Sequence, residues 1–264
     1  MPEWISVEEA QTAPGLRLVL TAGVPGPWGE AAKAIFHVKG LACPRVAQFA
    51  GQPNPELIAW TGEINAPQAI LDDEPSRAHW SSLILLGERL APDKPLVPED
   101  PEQRAQMFGL LHELAGEGGL GWSRRLMLFG PLMELAPDHP GRQSVAPMAE
   151  RYGYSKEASE RAPERVADIL GLMANQWSRQ REAGHNYLIG DRLSALDLYW
   201  AAFAALIEPL PHEVCPMPAG LRAGYSQSHP ALDAALDTAL LDHRQRIYDE
   251  WLELPLDLGP GFRP

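Results

Sequence analysis

The chain has 264 residues, 45% of them hydrophobic and 22% charged, which is the makeup of a folded globular protein and not of a disordered one. Its 35 acidic side chains outnumber 22 basic ones and leave a net charge of −13. Residues up to Pro92 hold 6 basic against 10 acidic groups, so neither part of the chain is basic; this argues against a nucleic-acid or anionic-membrane surface and leaves small molecules or another protein as partners.

The opening residues, MPEWISVEEA, are acidic and lack the basic and apolar blocks of a signal peptide. Residues 16–21, LRLVLT, alternate apolar and polar positions as a half-buried strand does. After the turn-rich GVPGPWGE, the residues Ala31, Ala32, Ile35, Phe36 and Val38 recur at helical spacing, and Gly40 is a natural stop. Arg45–Phe49 reads as a second strand, and Cys43 just before it as a small buried apolar residue. Residues 64–71, INAPQAIL, read as extended chain broken by Pro67, and Ser81–Leu90 as an apolar helix. Pro92, Pro95 and Pro98 then form a stiff linker.

Beyond that linker the texture is helical. Gln103–Ala115, Leu120–Leu135, Glu164–Ala183, Ala195–Ile207 and Ala231–Trp251 carry the pattern, and no strand is evident. The division expected is an α/β unit over residues 14–92 and an all-helical unit over residues 100–254. The longest apolar run, Leu198–Ile207, is half the ~20 residues needed to span a bilayer. Two cysteines, Cys43 and Cys215, make no disulfide framework. A cytoplasmic protein without a membrane span is the expectation.

The strongest local signal is Gly190–Trp200, GDRLSALDLYW. Ser194 stands as N-cap and Asp197 three residues on, so the two can form a capping box, with Leu193 and Leu198 as its hydrophobic staple. Asp197 also places negative charge at the positive end of the helix dipole. The helix that follows is apolar nearly all round, as a central buried helix is.

These features together resemble the cytosolic glutathione transferases, over roughly residues 16–250. Ser194-Ala195-Leu196-Asp197 is similar to the family's capping box, and Tyr187–Asp191 to its lead-in. Ala66-Pro67 followed by Leu71-Asp72 looks like the family's Val-Pro-x-Leu stretch, where a cis-proline shapes the glutathione site. Gly87–Pro92 resembles the end of the last N-terminal helix. The resemblance implies a thioredoxin-like α/β N-terminal domain joined to an all-α C-terminal domain. It also implies glutathione as co-substrate, a small electrophile as second substrate, and a homodimer.

Such an enzyme must favour the thiolate over a thiol of pKa about 8.5, through a helix N-terminus and a hydroxyl or thiol donor. Matching Gly26-Pro27-Trp28 to the family's Ser/Cys-Pro-Phe puts glycine at the catalytic position, and matching the tyrosine-type pattern puts Val24 there. All six tyrosines lie beyond residue 150, and Thr21 is the one hydroxyl nearby. The main-chain amides from Trp28 to Glu30 can serve without a side chain. At the family's Glu/Gln-Ser position stand His79 and Trp80, with Ser81 one step later; these residues read equally as packing. Ala66 needs only its main chain to pair with the cysteinyl backbone of glutathione. Trp122 and Arg125 are the candidates for the second substrate, the first to stack and the second to meet an acidic group. Arg124, beside them, reads as part of an exposed basic face.

No metal is expected: His212-x-x-Cys215 and His112-Glu113 have no second pair of ligands at useful spacing. Nor is there a P-loop, a dinucleotide fingerprint or a Gly-x-Ser-x-Gly elbow. The alternative reading is a binding or structural protein that keeps the fold without the chemistry. Residues 243–262 are expected to pack back on the helical part, with a lid over the cleft as the alternative.

Overall fold

The computed structural model describes residues 3–260. The first part runs β1 (Trp4–Ile5), α1 (Val7–Thr12), β2 (Leu16–Thr21), α2 (Pro27–Val38), β3 (Arg45–Gln48), α3 (Pro55–Thr61), β4 (Gln68–Leu71) and α4 (Trp80–Leu90). The second is helical: α5 (Pro101–Ala115), α6 (Leu120–Met133), α7 (Pro140–Arg151), α8 (Lys156–Glu182), α9 (Ala195–Phe203) with a 3-10 turn (Ala204–Leu206), α10 (Ala219–Tyr225), α11 (Pro230–Ala235) and α12 (Thr238–Trp251).

The sheet has the order β1-β3-β2-β4, with β2 parallel to β3 and antiparallel to β4. Helices cover both its faces, and this corrects the half-buried reading of residues 16–21. Leu16, Leu18 and Leu20 enter the large core shared with the helical part, while Val19 joins Val46, Leu57 and Ile70 beneath α1 and α3. Even Arg17 is buried, its guanidinium donating to the carbonyls of Gly15 (2.6 Å) and Asp72 (2.9 Å). A strand buried on both faces loses the alternation that a surface strand shows.

The core of the helical part is α9, buried at every position. The expected capping box is there. Asp197 accepts from the Ser194 N–H (2.9 Å) and Ser194 Oγ (2.7 Å), and also from the Leu188 N–H (2.8 Å) and His243 Nε2 (2.8 Å). Arg246 Nη2 lies 3.1 Å from His243 Nδ1, and an arginine can only donate. Nδ1 is therefore the acceptor, and Nε2 carries the proton given to Asp197.

Two other expectations change. The run Ala231–Trp251 breaks between α11 and α12, where Asp237 caps α12 by accepting from the Ala239 N–H at 2.8 Å. The segment after α12 does not stay on the helical part. Leu256 donates to the Val214 carbonyl at 2.7 Å, but Asp257 accepts from Trp4 Nε1 (2.8 Å) and Arg45 Nη1 (2.6 Å), and Leu258 accepts from Gly23 (2.7 Å). It straps the sheet to the helices, and its last residues, 261 and 262, lie outside the described ones. Burial opposes the Asp257 charge, but hydrogen bonds from Trp4 and Gly259, with Arg45 and Lys33 nearby, outweigh it and hold the carboxyl below its usual pKa.

Burial pushes the Cys43 thiol up to about 12 and Cys215 to about 11. Hardly any thiolate forms at pH 8, so a disulfide reagent such as DTNB should label neither thiol in the native protein within minutes. Both should react once guanidinium exposes them. Rapid native labelling would contradict this packing.

Candidate functional site

The site begins where β2 delivers the chain to α2. Gly26 is the N-cap of α2 in ordinary extended conformation, and Pro27 at N1 sets the helical φ while offering no N–H. The Glu30 N–H makes the first helical bond, to the Gly26 carbonyl at 2.9 Å. That leaves the amides of Trp28 and Gly29 as the first-turn donors without an intrahelical acceptor. A Cβ placed on Gly26 would meet nothing within 4 Å. Thr21, at the end of β2, donates its hydroxyl proton to Gln48 Oε1 at 2.8 Å.

Next to this turn is the loop that enters β4. The Ala66–Pro67 bond is cis, as is Leu254–Pro255, which the sequence did not suggest. The backbone N–H and C=O of Ala66 make no hydrogen bond among the described residues. They border the cleft and are free to pair with a peptide backbone.

His79 and Trp80 open α4. His79 Nδ1 accepts from the Ser81 N–H (3.3 Å) and lies 2.8 Å from Ser81 Oγ, so it is the N-cap of its own helix. Trp80 is buried against Phe108 and Tyr199, with its Nε1 unpartnered. The chain itself thus occupies one of the helix-terminal amides that a carboxylate could use.

These residues share one cleft of about 1140 Å³ between the sheet part and the helical part. Thr21, Gly26, Trp28, Ala66, Pro67, His79, Trp80, Trp122 and Arg125 all line it, whereas Ser81 does not. Trp28 joins the two sides: its Nε1 donates to the Ala115 carbonyl at 2.9 Å, and its ring meets Phe203 edge-on at 5.0 Å. Trp122 donates to the Tyr152 carbonyl (2.9 Å) and packs on the Tyr152 ring at 4.6 Å. With Phe129, these rings make an aromatic wall.

The expectation for Arg124 is overturned. It is buried, and its guanidinium donates to the carbonyls of Leu206 (2.8 Å), Tyr225 (3.2 Å) and Gln227 (2.6 Å), tying α6 to the chain around α10. Arg125, one residue on, faces the cleft instead. Sequence reading also passed over Arg151 of α7, which crosses the cleft to donate to Asn65 Oδ1 at 3.0 Å. Its only signal would have been the helix α7 itself, which the two prolines 140 and 147 disguise.

Among the described residues no group of His, Cys, Asp or Glu is placed to hold a metal ion, and no helix is long and apolar enough to cross a membrane. Neither a protein-family model nor a curated protein matches the sequence. Solved structures do match in fold. A glutathione S-transferase of Methylobacterium radiotolerans, in complex with glutathione sulfonate, superposes with TM-score 0.62 at 16% identity, over 89% of this chain and 91% of that one. The beta-etherase LigF of Sphingobium sp. strain SYK-6 gives 0.58 at 16% identity, over 89% and 99%. A Sulfitobacter glutathione transferase homologue with bound glutathione gives 0.57 at 17% identity, over 89% and 93%. The chain therefore has the glutathione transferase fold: a thioredoxin-like sheet part followed by an all-helical part.

Proposed function

We propose that the cleft binds glutathione and transfers it to a small electrophile. The observation that carries this reading is the meeting of three features in one cleft. They are the unpaired backbone of Ala66 before a cis-proline, the free amides that begin α2, and an aromatic wall from the helical part. In the same fold, the Methylobacterium radiotolerans protein is seen with glutathione sulfonate and the Sulfitobacter protein with glutathione, which supports the ligand.

Ala66 would pair with the cysteinyl backbone of the tripeptide, leaving its sulfur at the start of α2. The Trp28 and Gly29 amides and the positive end of the α2 dipole favour the thiolate there. The thiolate attacks the electrophilic carbon, a sulfur–carbon bond forms, and the leaving group departs with its electron pair. The thiol proton passes to solvent. A homodimeric, cytoplasmic enzyme divided near residues 92–100 completes the reading, on the strength of the fold resemblance.

The test is glutathione-dependent turnover over a panel of electrophiles. Turnover above the uncatalysed rate is expected; a flat panel would contradict the transfer step. Because the Thr21 proton is already on Gln48, Thr21→Ala is expected to keep kcat/KM within about threefold. A tenfold loss would mean that the hydroxyl turns to the sulfur. The absence of a donor on Gly26 favours a second reading, a glutathione-binding protein without turnover, and the same panel separates the two.

A further inference from the structure

The aromatic side of the cleft holds a cation that glutathione transfer, as proposed above, does not use. Arg125 borders the cleft, its Nε is buried without a hydrogen-bond partner, and it makes no ion pair among the described residues. The other charges bordering the cleft are answered or exposed. Lys33 pairs with Glu30 at 2.7 Å, Asp257 with Arg45 at 2.6 Å, and Arg151 with the Asn65 amide, while Glu117 stands on an exposed turn.

What surrounds Arg125 is phenolic and apolar. Burial works against its charge, but the Tyr225 and Tyr152 phenols beside it outweigh this and raise its pKa above the ordinary value. Tyr225 is fully buried and also borders the cleft; its hydroxyl oxygen lies beside the Arg125 guanidinium, and its own proton goes to no acceptor. Buried groups of this kind are nearly always satisfied, by protein, water or ligand. A guanidinium and a phenol O–H on one wall are donors, and the partner they fit is an oxyanion. Trp122, Phe129 and Leu128 on the same wall offer apolar contact to the rest of the molecule.

We infer that the second substrate is an aromatic electrophile that carries an oxyanion, a carboxylate in the simplest case, held by Arg125 and the Tyr225 hydroxyl. Its role as electrophile rests on the transfer reading; the anion subsite itself does not.

The probes are 3,5-dinitrobenzoate and its neutral methyl ester, titrated by calorimetry without glutathione so that failure of the transfer reading leaves the result intact. The acid should bind the wild-type chain about tenfold more tightly than the ester, the size of one charge-assisted hydrogen-bonded pair. Arg125→Leu should bring the acid down to the ester's affinity while leaving the ester and glutathione affinities unchanged. Tyr225→Phe, which keeps the buried ring and removes only a hydroxyl whose proton has no acceptor, should cut the acid-to-ester preference by about threefold. Equal binding of acid and ester by the wild type would overturn the inference. So would a preference that survives Tyr225→Phe and a folded Arg125→Leu unchanged. A glutathione affinity that falls with Arg125→Leu as far as the acid's would place Arg125 in the glutathione site and overturn it too. If Arg125→Leu does not fold, the wild-type pair of titrations and Tyr225→Phe decide.

Discussion

Asp197→Ala is expected to cost the protein about 3–5 kcal/mol, the usual penalty for removing one partner of a buried, hydrogen-bonded charge. The carboxylate is fully buried, and two backbone amides, the Ser194 hydroxyl and the His243 imidazole all donate to it. Alanine leaves each of those donors in the core with neither partner nor water. At roughly 2–4 °C per kcal/mol for a chain of this size, the melting temperature should fall by about 6–20 °C. Asp197→Asn keeps the volume but turns an N–H toward donors, so an intermediate loss is expected. A melting temperature within about 2 °C of wild type for Asp197→Ala would contradict the picture. The effect should reach the cleft as well, since α9 carries Phe203, on which Trp28 rests.

Gly26→Ser is expected to raise kcat/KM for conjugation by about tenfold, the yield of one well-placed hydrogen bond of about 1.4 kcal/mol to the thiolate. The backbone there suits any residue, at φ −67°, and a Cβ meets nothing within 4 Å. A serine there can donate its proton outward to the sulfur, and the gain holds when its oxygen leaves the Trp28 and Gly29 amides to the thiolate. Gly26→Ala adds the carbon without the donor and should show no such gain. If Gly26→Ser binds glutathione as the wild type does and turns over no faster, the sulfur does not sit at the start of α2.

The parts of the fold legible in the sequence were those whose cause is local. The Ser194–Asp197 box, the Gly40 stop of α2 and the apolar run of α4 each state their structure within a few residues. So did the Ser6–Glu9 capping box of α1, which was passed over because the helix after it is only 6 residues long. Helix α3 was hidden by its entry through Asn54 in left-handed conformation and Pro55. In the candidate site, the cis bond at Ala66–Pro67 and the turn at Gly26 could be placed from the sequence, because main-chain and turn geometry is local. Arg124 and Arg125 could not. They are adjacent on one helix, and what separates them is three carbonyls brought from 82, 101 and 103 residues away. The strap through Asp257 is as distant, reaching Arg45 and Trp4 across 212 and 253 residues. Contacts of that range leave no local pattern to read.

Glutathione binding is the claim on which the rest depends, and titration calorimetry at neutral pH on protein purified without the tripeptide tests it most directly. One site per chain is expected, with dissociation between about 1 μM and a few mM. No detectable heat at millimolar glutathione would contradict the account and return the cleft to some other ligand.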